Sequence, residues 1–152
     1  MNSCVLLDAG PVGLVTNPKR SVASIACFRW IQELVRHDVP VILPEIADYE
    51  VRRELIRSEK SQGLAELDRL ASALDYLPIT TAAMRQAAIF WAQARRLGQP
   101  TADDQSIDAD VILAAQAATL GRLDTVIATT NVGHLSRFVP AELWQNIQAP
   151  SQ

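Results

Sequence analysis

Four acidic or amide positions, far apart in the chain, have the residue types and settings to do chemistry. Asp8 directly follows Val5-Leu6-Leu7, so a carboxylate interrupts a run that reads as buried. A buried carboxylate without a partner is costly, so Asp8 needs one, unless it merely caps the turn residues Ala9-Gly10-Pro11. Glu50 lies in Glu45-Ile46-Ala47-Asp48-Tyr49-Glu50-Val51-Arg52-Arg53-Glu54-Leu55 and falls near Ile46 on a helical wheel, toward the apolar side. A surface ladder with Arg53, Glu54 and Arg57 accounts for it equally well, and periodicity does not separate Glu50 from Glu54. Asp108 and Asp110 compete for one helix N-cap ahead of Val111-Ile112-Leu113-Ala114-Ala115-Gln116-Ala117, which leaves one acid free. Asn131 and His134 follow the most β-branched run in the chain. No cysteine or paired histidine accompanies these acids. An oxygen-only donor set suits Mg²⁺ or Mn²⁺ rather than zinc. Such an ion keeps waters that can attack a phosphodiester.

The elements that must position these residues are legible as short apolar runs alternating with helical periodicity. Strands are expected at Cys4–Leu7, Val41–Leu43 and Thr125–Thr129, with a weak edge strand at Tyr76–Ile79, where Pro78 argues against a central place. Between them the spacing predicts helices over Val22–His37, capped by Ser21, over Glu45–Lys60 and over Leu64–Leu74. A fourth runs from a Thr80 or Thr81 cap to Leu97, with Gly98 as its stop, and a fifth from Asp108 or Asp110 to Gly121. Ala9-Gly10-Pro11 and Gly13 read as turn residues, Gln99–Ile107 as a polar loop, and Pro140 as the first turn of a short last helix with Leu143 and Trp144. Short buried strands separated by helices imply a parallel α/β sheet with helices on both faces. In such sheets ligands bind at the carboxyl ends of the strands, where Asp8 and Asn131 fall.

The chain has 152 residues, 49% hydrophobic and 20% charged, which excludes a disordered or low-complexity protein. One domain is expected over residues 1–148, with 149–152 as a loose tail. The longest apolar run, Ala87–Ala92, is far short of the roughly 20 residues that span a bilayer, and no basic leader precedes it. Cys4 and Cys27 make no disulfide framework. A cytoplasmic location is the expectation. The net charge of −3 argues against coating nucleic acid by bulk attraction, but not against meeting phosphate through a bound cation.

Read in order, Val5-Leu6-Leu7-Asp8, Pro44-Glu45-Ile46 through Glu50, Asp110-Val111-Ile112-Leu113-Ala114-Ala115-Gln116-Ala117 and Ile127-Ala128-Thr129-Thr130-Asn131 with His134 resemble the PIN-domain family. Within it they resemble the VapC-type toxin ribonucleases of bacterial toxin–antitoxin pairs, over about residues 3–145. The resemblance implies a three-layer α/β/α fold with a short-stranded parallel sheet and a metal-dependent endoribonuclease. It implies Asp8, Glu50, Asp110 and Asn131 as the catalytic set around Mg²⁺ or Mn²⁺, with Asp8 and Asp110 as direct ligands. It also implies an RNA substrate, a small VapB-type antitoxin and a homodimer. The family often has a fourth acid where this chain has Asn131, and Asp108 could replace the missing charge. His134 is expected to pack or cap, His37 to meet a helix C-terminus, and Trp30, Trp91 and Trp144 to be core or interface. Exposed apolar residues near Phe28, Trp30 or Leu34 could supply a dimer face. The competing reading is a catalytically impaired PIN-like domain that binds RNA or protein. A receiver domain or a haloacid-dehalogenase-like phosphatase is disfavoured. Neither of the two lysines, Lys19 and Lys60, follows an apolar strand, and Gly10 stands where such a phosphatase has its second aspartate.

Overall fold

A computed structural model describes residues 4–97 and 104–150. Cys4–Leu7 forms β1, and every residue of it is buried, because both faces of the strand are covered. Asp8 caps α1 (Ala9–Thr16), and Ser21 caps α2 (Val22–Arg36) by accepting from the Ser24 amide at 3.1 Å. β2 (Val41–Pro44) runs straight into α3 (Glu45–Arg57), which is followed by α4 (Ser61–Ala73) and the edge strand β3 (Asp75–Leu77). Thr80 rather than Thr81 caps α5 (Thr81–Arg96), its hydroxyl accepting from the Ala83 amide at 3.0 Å. Then come α6 (Asp104–Ala118), β4 (Thr125–Thr129) and β5 (Ala141–Leu143), with short 3₁₀ turns at Leu135–Arg137 and Trp144–Asn146. All pairings are parallel, in the order β3-β2-β1-β4-β5.

The period-2 alternation of the strands sorts the core into two sides. Val5, Leu7, Val41 and Leu43 pack against Val12, Cys27, Leu34, Val51 and Leu67 from α1 to α4. Cys4, Leu6, Ile42 and Ile127 pack against Leu113, Ala114 and Ala117 of α6. α5 closes over α6 through Ala83, Ala87 and Ala94 against Val111 and Ala115, small side chains that let the two helices approach closely. The result is the expected three-layer α/β/α sandwich. Gln116, buried in α6, ties the layers at the sheet's edge. Its carboxamide accepts from the Ile46 amide at 3.3 Å and donates to the Leu77 carbonyl at 2.9 Å.

Several local readings change. The residues read as a turn after Asp8 are helical, because the Asp8 carboxylate accepts from the Ala9 amide at 2.7 Å, and Pro11 falls in the first turn, where its missing N–H costs no bond. Gly10 answers to packing, not to a turn. A Cβ there would lie 2.5 Å from the Thr130 hydroxyl oxygen. α3 stops at Arg57 and α4 begins at Ser61, so the break between them is as long as the periodicity suggests but falls three residues earlier. α6 starts at Asp104, which puts Asp108 and Asp110 inside the helix instead of at its cap. Residues 98–103, including Gly98, lie outside the described residues. Pro140 opens an edge strand, not a helix, its carbonyl accepting from the Ile127 amide at 3.0 Å.

His37 ends α2 as expected, its Nδ1 2.9 Å from the Glu33 carbonyl oxygen. The suggested dimer face keeps exposed apolar residues around Phe28. Leu34 is buried, and Trp30 donates to the Ile147 carbonyl at 2.7 Å and packs on Trp144, which leaves Phe28 exposed beside Ile25 and Val35. Ala149, assigned to the tail, packs against the α1–α4 side of the core. No helix among the described residues is long and apolar enough to cross a membrane.

Candidate active site

Asp8 stands one residue beyond the buried end of β1, the middle strand of the sheet. Its amide donates to the Ala128 carbonyl at 2.9 Å, which fixes the backbone against β4. Oδ1 accepts from the Ala9 amide at 2.7 Å, and Oδ2 accepts from the Thr129 hydroxyl at 2.6 Å. Each carboxylate oxygen therefore has one partner and keeps a second lone pair for a ligand. Thr129 is itself buried and accepts from the Asn131 amide at 3.1 Å, so the end of β4 orients Asp8. Thr129 is the site residue the sequence reading missed. The available signal was a buried hydroxyl at the end of an apolar strand, the same anomaly that marked Asp8.

Helix geometry decides between the paired candidates. In α6, Asp110 heads the stripe Leu113, Ala114 and Ala117 that faces the sheet, whereas Asp108 heads Val111, Ile112 and Ala115, on the α5 side. Asp108 is exposed and lines an apolar groove with Met84 and Trp91. It is not among the acids that perturb Asp8, Glu50 or Asp110. In α3, which leaves the carboxyl end of β2, Glu50 lies one turn nearer the sheet edge than Glu54. Glu54 turns outward to pair with Arg57.

The electrostatics brings three of the four predicted residues into one field. Burial pushes the Asp8 carboxyl up, against the Thr129 and Ala9 hydrogen bonds that pull it down. Burial first, then the charge of Asp8, pushes Glu50 up to about 7, with Arg53 opposing and Asp110 adding to the rise. Asp110 is pushed up to about 6 by burial and by Asp8, with His134 opposing. The Asp8 charge thus raises both Glu50 and Asp110, and Asp110 raises Glu50 further, so the three carboxylates face one small region. Among the described residues no three His, Cys, Asp or Glu side chains close into a metal-ligating cluster. The oxygen-only donors nevertheless fit Mg²⁺ or Mn²⁺, because a hard, strongly hydrated ion is held by one or two carboxylates and keeps its waters.

Asn131 is exposed, and its Oδ1 accepts from the Gly133 amide at 3.1 Å, so its side chain closes the loop after β4. It reaches Asp8 only through its backbone and Thr129. His134, expected to pack or cap, opens the 3₁₀ turn without a side-chain cap, and its buried Nδ1 has no hydrogen-bond partner among the described residues. Arg52 is committed to structure. It pairs with Asp48 at 3.0 Å and Asp68 at 2.9 Å, and Asp48 also accepts from the Tyr76 hydroxyl at 2.6 Å.

No family model and no curated protein matches the chain. Solved structures do. The crystal structure of VapBC2 from Rickettsia felis bound to a promoter DNA fragment aligns over 93% of this chain and 98% of its own, with TM-score 0.74 and 15% identity. DNA-bound VapBC from Salmonella typhimurium aligns over 95% and 99%, with TM-score 0.66 and 21% identity. FitAcB from Neisseria gonorrhoeae aligns over 94% and 99%, with TM-score 0.68 and 19% identity. At such identities the likeness is one of fold, and it extends over nearly the whole of each chain: this protein has the PIN-like α/β/α fold of the matched chains in those complexes.

Proposed function

We propose that this chain is a metal-dependent endoribonuclease of the VapC type, the toxin of a type II toxin–antitoxin pair. It would act in the cytoplasm as a homodimer, restrained by a small VapB-type antitoxin. The observation that supports the reading is the gathering of three acids at the carboxyl edge of a PIN-like sheet, where the Asp8 charge acts on both Glu50 and Asp110. Asp8 and Asp110 would hold Mg²⁺ or Mn²⁺. The ion, when bound, supplies Lewis acidity toward a phosphodiester and its attacking water.

The protein's own groups do the rest. Thr129 and the Ala9 amide fix the Asp8 carboxylate, so no reorientation is needed when charge develops. Glu50 faces the same region as Asp8 and Asp110 and would accept a proton from an attacking water. The Asn131 carboxamide brings hydrogen-bonding capacity without charge.

The test is cleavage of total RNA in Mg²⁺ and in Mn²⁺ by wild type and by the Asp8→Ala and Asp110→Ala variants. Cutting by wild type alone, with all three folded, supports the reading. A wild type that cuts no RNA with either metal sinks it. Asn131, standing where the resemblance has an acid, favours as second reading a PIN-like domain that binds RNA or protein without turnover.

A further inference from the structure

We infer that His134 contacts the substrate, its Nε2 donating a hydrogen bond to a phosphate oxygen of an RNA strand held at Asp8 and Asp110. This rests on the nuclease reading above and adds a substrate-binding residue to it.

The loop after β4 fixes where the ring stands. The Asn131 carboxamide accepts from the Gly133 amide at 3.1 Å, and a Cβ at Gly133 would lie 3.2 Å from Asn131 Oδ1, so the turn is tight. Ser136 closes its other side. The Ser136 amide donates to the Val132 carbonyl and its hydroxyl to the Gly133 carbonyl, each at 3.1 Å. Leu135, next to His134, is buried with Leu113, Ala114 and Ala117, the stripe of α6 that Asp110 heads. The turn is therefore pinned to the face of α6 that carries Asp110, and the charge of His134 acts on that acid. Among the described residues the two form no ion pair, so the ring stands beyond direct contact, with room for a ligand atom between them.

Within the described residues the fold makes no use of the imidazole. The ring forms no hydrogen bond, and Nδ1 is buried without a partner. A leucine would fill the same half-buried place and leave no polar atom unmet. The proton belongs on Nε2, because an orphaned buried N–H is rarer in folded proteins than an under-used acceptor. That makes the outer nitrogen a donor beside the acids. It is not a metal ligand, since among the described residues no three His, Cys, Asp or Glu side chains close into a cluster. A donor beyond coordination distance of the acids meets what an ion brings to them, and for a phosphodiester that is a charged phosphate oxygen.

The experiment measures binding of a fluorescent single-stranded RNA hexamer pool in Ca²⁺, cleavage in Mn²⁺ and thermal unfolding for wild type, His134→Leu, His134→Gln and His134→Asn. His134→Leu should melt no lower than wild type, because it removes an unmet buried nitrogen, yet lose about tenfold or more in RNA affinity, the worth of a hydrogen bond to a charged group. His134→Gln, whose amide nitrogen reaches the place of Nε2, should recover part of the loss. His134→Asn, which reaches only as far as Nδ1, should not. If His134→Leu fails to fold, the Gln and Asn variants decide. Folded variants that bind and cut like wild type overturn the contact and leave the nuclease intact, as does equal rescue by Gln and Asn, or a loss of affinity that follows a loss of Tm across all three. A wild type that binds RNA without cutting it overturns the nuclease reading, and the contact then stands or falls on the binding comparison alone. A wild type that neither binds nor cuts overturns both.

Discussion

Glu50→Gln should stabilise the metal-free protein at alkaline pH, although it removes a site residue. Burial and the charges of Asp8 and Asp110 raise the Glu50 carboxyl from 4.5 to about 7 in the folded state. A folded-state value above the unfolded one means that the neutral carboxyl favours folding. That contribution is fully present below pH 4.5 and is lost as pH rises through about 7. Above pH 7 the folded protein carries the whole penalty. The gap of about 2.5 pH units between the two values corresponds to about 3 kcal/mol. Glu50 keeps substantial contact with solvent, and screening reduces this to about 1–2 kcal/mol. For a domain of this size that is a rise in Tm of about 2–8 °C. Thermal unfolding in EDTA at pH 8 should therefore show Glu50→Gln above wild type, with the difference closing as pH falls toward 4.5. If Glu50→Gln melts at or below wild type at pH 8, the three carboxylates do not share a repulsive field and the cation-site argument fails.

Thr129→Val keeps the shape of a buried side chain but removes the 2.6 Å hydrogen bond to Asp8 and the acceptor for the Asn131 amide. It should cost about 1–3 kcal/mol in denaturant unfolding and raise the Asp8 carboxyl further. Gly10→Ala should destabilise by about 1–3 kcal/mol, because its methyl meets Thr130 at 2.5 Å, and Thr130→Ala in the same chain should restore much of the loss. Gln116→Leu leaves the Ile46 amide and Leu77 carbonyl without partners inside the fold and should cost about 1–3 kcal/mol, detected as faster amide exchange at Ile46.

The sheet was readable because its strands are short, apolar and bounded by Pro or Gly, whereas the stripe Ile25, Phe28, Ile31 and Val35 misplaces the inner face of α2, which runs through Ser24, Cys27, Ile31 and Leu34. What escaped reading was set by tertiary contact. α1 contains Gly10, Pro11 and Gly13, which local propensity assigns to a turn, yet one carboxylate cap and the fit against Thr130 make a helix of it. β5 is three residues long and takes its conformation from pairing with Ile127–Thr129, a partner that Ala141-Glu142-Leu143 does not announce. Propensity is a weak prior, and an edge position or a cap overrides it.

The site divides along the same line. Asp110 was separable from Asp108 by helical phase alone, once the helix is continued back to Asp104, since only Asp110 shares the stripe of Leu113 and Ala117. Glu50 was not separable from Glu54 by phase. The difference between them is axial, about 6 Å along α3 at 1.5 Å per residue, and it matters only because α3 starts at the sheet's carboxyl edge. Asn131 illustrates the opposite limit. Its position after β4 follows from the sequence, but its carboxamide is tied to Gly133, and the group that touches Asp8 is the Thr129 hydroxyl two residues earlier. Strand alternation accounts for this. β4 directs residues two apart to the same face, so a polar residue that ends the strand with its side chain on the sheet is nearer the neighbouring strand's terminal acid than one in the loop beyond. In a parallel sheet with Asp8 closing β1, the residue to seek is therefore the last hydroxyl of the adjoining strand, before any amide in the loop.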